Sequence, residues 1–250
     1  MSGGCTDCGR KGGCDNRKGE MFADLDAAMQ RLYPSRRWGE RTELTEQAPQ
    51  GTIDGGVPPD LIPVLSDALA ARLNTLVLHL PGGADETCDY LHVLCLGRTP
   101  SLLEIREGLA DPAALHGPDG EAADDSVDEL YLRVALSTVA PFAAVQQVAL
   151  SARLSDGGLW IEETMRAGVF DPVLLPRFRT LVAVLMEHGL RHLDFGEISE
   201  APAGYDPGDY GDRYGGVPAL ANYLFYPQPS SSITTTVVSL KPGGLPCPQS

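Results

Sequence analysis

Apolar residues recur at helical spacing in three places along the chain, and they alternate with polar ones in most of the stretches between. From Glu20 to Pro34 the positions Met21/Phe22, Leu25, Met29 and Leu32/Tyr33 fall on one helical face, and Pro34 ends the run. Pro58 and Pro59 precede a second helical pattern over residues 60–73, with Leu61, Ile62, Leu65, Leu69 and Leu73 on one side. A third runs from Pro172 to about His188, with Asp171 placed to cap it, Pro172 at its first position and a broad apolar face from Leu174 to Met186.

The intervening stretches read as strands. Thr75–Leu80, Asp89–Leu96 and Ser101–Glu107 follow the second helix with short turn-bounded connections, which predicts an antiparallel meander. Leu130–Val139, Val145–Leu154 and Leu159–Thr164 follow, the last two joined by Asp156-Gly157-Gly158, a hairpin signal. Ile233–Leu240 is a late β-branched strand. Six or seven mostly antiparallel strands with three helices make the expected class α+β. Residues 20–250 are expected to form a single domain with long loops at 35–57, 108–127 and 194–230, and Trp38 is the expected anchor of the first loop. The third loop carries Tyr205, Tyr210, Tyr214, Tyr223 and Tyr226 and is read as pinned over the sheet by apolar contact or, less simply, as a docking surface.

Residues 1–19 break the pattern. After Met1 they hold no apolar residue except Cys5, Cys8 and Cys14, and they are crowded with glycine. Such a segment has nothing to bury against the entropy of ordering. It is suited to wrap a metal. A Cys-x2-Cys turn lets two thiolates reach one ion, and Gly9, Gly12 and Gly13 permit the bends that return Cys14 to it. Arg10, Lys11, Arg17 and Lys18 stand among the cysteines, and cations beside a thiol favour its thiolate. Three thiolates leave a four-coordinate shell one short. Cys247 in the Gly/Pro-rich tail, Cys88, His192 or a group from a partner could complete it. The expected cofactor is an Fe–S cluster or zinc, since Cys-x2-Cys-x5-Cys matches neither the common zinc-finger nor the ferredoxin spacings.

The other candidate residues carry less. Cys95 shares a strand face with Leu91 and Val93 and reads as a small buried hydrophobe, while Cys88 lies in the polar stretch ADETCDY and is expected near the surface. His188 and His192 have the i, i+4 spacing of a chelating pair, but Gly189 between them is placed to end the helix. Adjacent Glu162 and Glu163 face opposite sides of a strand and cannot easily form a dyad. The chain has no G-x-S-x-G, H-E-x-x-H, P-loop or post-strand G-x-G-x-x-G.

Charge narrows the partners. The formal net charge is −15, of which residues 1–42 contribute about +2 and the remainder about −17. An acidic body repels nucleic acid and anionic membranes, so neither is an expected partner. No apolar run reaches the length of a membrane span and no hydrophobic leader is evident, so the expected location is the cytoplasm, where clustered cysteines ligate metal more often than they form disulfides. These readings lead to an accessory protein that serves metallocofactor assembly, delivery or electron transfer for a larger metalloenzyme. A structural zinc-binding interaction module and an enzyme with a pocket on the α+β body are the rivals. Converging His92, His192 or acidic groups would favour the last.

Overall fold

The computed structural model describes residues 25–40, 56–81, 88–96, 100–115, 127–155, 158–225 and 232–238. In chain order these form helix α1 (residues 25–32), α2 (Leu61–Leu73), β1 (Val77–Leu80), β2 (Cys88–Leu96), α3 (Leu102–Arg106), a 3-10 turn (Pro112–Leu115), β3 (Val127–Ser137), β4 (Phe142–Ser155), β5 (Gly158–Ala167), α4 (Leu175–Glu187), β6 (Arg191–Leu193), α5 (Phe195–Ile198), α6 (Tyr210–Tyr214), α7 (Leu220–Leu224) and β7 (Ser232–Val238). The class is α+β, as the pattern predicts. The chain divides into two compact units: residues 1–47 with 201–218, and residues 48–200 with 219–250.

In the first unit α1 buries Leu25, Ala28, Met29 and Leu32, the face expected from their spacing. Beyond Pro34 the backbone meets the second segment of this unit. Asp206 N donates to Arg36 O (2.7 Å) and Trp38 N donates to Asp206 O (2.9 Å). Trp38 sets its ring edge-on to Tyr210, centroids 5.0 Å apart, while most of the loop it is expected to anchor lies outside the described residues. Gly208 is required there: its φ is +55° and a Cβ would stand 2.9 Å from Trp38 O.

The second unit is built on one sheet of seven strands, in the order β1-β2-β3-β4-β5-β7. Every neighbour in that order is antiparallel, and the β4–β5 hairpin pairs through to Ser155 opposite Gly158. The short β6 is the exception. β5 leaves the edge of β4 at Gly168, which bridges Gln146, and β6 takes the same edge further back, parallel to Phe142–Ala144.

Both sheet faces are covered. On one, Leu91, Val93, Cys95, Leu132, Val134, Leu136, Ala143 and Val145 pack against Ile62, Leu65, Leu69 and Leu73 of α2 and Leu181, Val184 and Leu185 of α4. Each fully buried leucine contributes roughly 1.5–3 kcal/mol. On the other, Leu94, Tyr131, Val148, Leu150, Ala152, Leu159 and Ile161 meet Leu102, Leu103 and Ile105 of α3.

That last helix corrects the sequence reading, which expected a strand at Ser101–Glu107. Ser101 Oγ accepts from Glu104 N (3.1 Å), and Glu104 Oε2 accepts in return from Ser101 N (2.8 Å). This capping box starts a helix, and apolar positions 102, 103 and 105 suit one turn of helix better than an alternating strand. Glu129 Oε2 of β3 accepts from Leu102 N at 2.5 Å, tying the helix start to the sheet. The third long helix also starts later than expected. Asp171 Oδ1 accepts from Val173 N (2.8 Å) within a preceding turn, and the helix begins at Leu175, next to Pro176. The stretch read as a long loop at 194–230 contains the three short helices α5, α6 and α7.

Three substitutions test this architecture by urea denaturation. Leu69→Ala removes a fully buried side chain and is expected to cost about 2–5 kcal/mol. Ser101→Ala removes the cap of α3 at a cost of about 1 kcal/mol. Gly56→Ala places a Cβ 2.2 Å from Thr138 O at φ +109° and is expected to cost about 1–3 kcal/mol through strain.

Candidate functional site

Cys5, Cys8, Cys14 and Cys247 lie outside the described residues. Among the described residues no group of three or more His, Cys, Asp and Glu side chains is arranged to hold a metal ion. Cys88 is not at the surface as expected. It is buried at the start of β2, with Sγ 2.9 Å from Tyr90 Oη. Cys95 is buried as expected, and burial pushes its thiol up to about 11, against the opposing pull of Arg177. His188 ends α4 with Nδ1 2.8 Å from Val184 O. His192 is off the helix: Gly189 turns the chain at φ +79°, and His192 sits in β6, edge-on to Phe178 at 5.3 Å. Burial lowers the pKa of His192, partly offset by Asp194.

The structure instead assembles a polar group on the α3 face of the sheet. Strand alternation puts Tyr90 and His92 of β2, Glu129, Tyr131 and Arg133 of β3, Gln146 of β4, and Glu163 and Met165 of β5 on that face. Arg106 reaches it from α3. Glu163, with its side chain 7% exposed, is the centre: Arg106 Nη1 pairs with its Oε2, Tyr131 Oη donates to Oε2 at 3.0 Å, and Arg133 Nη1 lies 3.9 Å from Oε1. Burial pushes Tyr131 up to about 12, with Arg106 and Arg133 opposing, so its hydroxyl keeps the proton it donates. Arg133 also places its guanidinium 4.0 Å over the Tyr90 ring and Nη1 2.7 Å from Met165 Sδ.

His92 is 1% exposed and stacks on Tyr131, centroids 5.1 Å apart. Burial, then the charges of Arg133 and Arg106, holds its pKa well below the usual histidine value. It is a neutral imidazole, and neither ring nitrogen has a hydrogen-bond partner. Such a group can both donate and accept a hydrogen bond, and the partly buried Arg133 beside it is already engaged with Glu163, Met165 and the Tyr90 ring.

Alternation in β3 does separate Leu130, Leu132, Val134 and Leu136 from Glu129, Tyr131 and Arg133, and it separates exposed Glu162 from buried Glu163 as expected. The sequence reading named His92, set Glu163 aside as unable to form a dyad with Glu162, and missed Arg133 and Arg106. Its strand assignment for residues 101–107 removed the helix that carries Arg106. The available signal was the Ser101-x-x-Glu104 capping box.

Two outcomes check this electrostatic arrangement. Glu163→Gln leaves Arg133 without a carboxylate and Arg106 with Glu107 alone (2.9 Å), and is expected to cost about 1–3 kcal/mol in denaturant unfolding, with Arg133→Met partly relieving it in the double variant. His92 binds a proton more readily unfolded than folded, so its contribution is retained above about pH 6.5 and lost as pH falls below that value toward its depressed folded pKa. Unfolding titrations from pH 7.5 to 5 are expected to show that decline, and His92→Phe to remove its share, at most about 1.4 kcal/mol per pH unit.

Comparison of the chain with protein-family models, with curated proteins and with solved structures yields no match, so a functional reading rests on its own residues.

Proposed function

We propose that this chain is a metal- or cluster-binding accessory protein that acts through Cys5, Cys8 and Cys14. The observation that carries the reading is the spacing Cys5-x2-Cys8-x5-Cys14 in a glycine-rich segment with interspersed cations. Burial of Cys88 and Cys95 within β2 supports it indirectly, because it favours Cys247 or a partner's group over these two thiols as the fourth ligand. An incomplete shell suits handover of a metal or cluster, and the glycines let the loop remodel around the ion. The acidic body serves as the docking part for a metalloenzyme or its assembly machinery, in the reducing cytoplasm. Among the described residues no helix is long and apolar enough to cross a membrane.

Anaerobic purification followed by a visible spectrum and assay of iron, zinc and sulfide tests the proposal. Brown protein with iron and sulfide identifies a cluster carrier. Colourless protein with tightly held zinc identifies the structural interaction module instead. Metal-free protein overturns the proposal. Changing Cys5, Cys8 and Cys14 together to Ser is expected to abolish metal content while leaving the thermal melt of the sheet-bearing unit unchanged; unaltered metal content in that variant places the site elsewhere.

A further inference from the structure

The sheet ends in two edges of different character. At one end lies β1, four residues long, with His79 Nε2 3.6 Å from Asp89 Oδ1. An edge strand that short and polar offers little to another chain. At the other end lies β7, and among the described residues β5 is its only strand neighbour. Its register with β5 runs unbroken from Ser232 opposite Met165 to Val238 opposite Leu159. The seven residues SITTTVV hold no charge and no proline, and after Ser232 every one is β-branched. Charge, proline, bulge and shortness are the usual means of blunting an edge, and β7 has none of them.

Exposed apolar surface adjoins that edge. Cross-strand partners share a face, so Trp160 of β5 stands beside position 237, on the face opposite Leu159, Ile161 and α3. α2 and α4 cover that face over β2, β3 and β4, but the apolar core beneath them includes no residue of β5. Trp160 is 46% exposed. Tryptophan is enriched where proteins meet, and here it lies one strand in from an open edge.

The edge is complementary to itself. A two-fold axis through Thr235 lays β7 antiparallel on β7 of a second copy. Ile233 then opposes Val237, Thr234 opposes Thr236, and Thr235 opposes its own equivalent. Odd positions meet odd and even meet even, so backbone groups turned away from β5 in one copy meet those turned away in the other. β-Branched positions pair with one another and no charge meets a like charge. Such an isologous pairing uses up the one long edge of each sheet, so the assembly closes at two chains instead of growing into a filament.

We propose that β7 is a dimerisation edge: two copies pair β7 to β7 about Thr235 and join their sheets into one, with a Trp160 flanking the seam on either side. The pairing uses only the sheet-bearing unit of each copy and needs no metal at the cysteine segment. A seven-residue seam is smaller than a standard interface, and the −15 charge on each chain opposes it, so a micromolar equilibrium that tightens with salt is expected.

The test is sedimentation of the full chain across a hundredfold range of micromolar concentrations, in reducing buffer so that cysteine cross-links do not contribute. Monomer and dimer are expected, and nothing larger. Thr235→Lys and Thr235→Glu each set two like charges on the axis, and each is expected to weaken the dimer at least tenfold. Mixed in equal amounts they set opposite charges there and are expected to restore it. Mixing does not relieve a folding defect, so recovery reports the pairing itself. In a Trp38→Phe background, Trp160 emission is expected to shift to the blue as the concentration rises. A parent chain that stays monomeric, one that grows beyond two copies, or dimerisation undiminished in both charged variants overturns the proposal. So does a mixture that remains monomeric, or Trp160 emission independent of concentration.

Discussion

Glu163 brings a negative charge into a layer from which water is excluded, and the α3 face of the sheet is arranged around that charge. A carboxylate there is tolerable only with cations and donors packed on it. Arg106 supplies them from a helix, and Tyr131 and Arg133 from β3, across the intervening β4. Because Arg106 belongs to α3, the helix is held by an ion pair at its far end and by Glu129 on the Leu102 amide at its start. The cluster thus fixes a helix of five residues that has little stability of its own.

The two faces of the sheet solve different problems. The face under α2 and α4 is an ordinary apolar core, where side chains need only fill space. The α3 face mixes apolar and polar rows, and each polar atom must find a specific partner. At Glu163 the requirement is met within the chain. At both His92 ring nitrogens, Arg133 Nε and the Gln146 amide, buried polar atoms have no hydrogen-bond partner among the described residues.

Repeating patterns determined much of the architecture. The spacing of leucines identified α2 and the core face of α4, alternation identified most of the strands, and an Asp-Gly pair marked the β4–β5 hairpin, because those signals are local and backbone geometry enforces them. The separation of Glu162 from Glu163 was legible for the same reason. Only the tertiary structure decided that Glu163 and His92 are buried, that Arg106 meets Glu163 across more than fifty residues of chain, and that β6 joins β4 in parallel. Alternation says which side of a strand a residue faces; it does not say whether that side meets water. That depends on which distant segment covers it, and here the cover was a short capped helix in a stretch whose apolar residues also suited a strand.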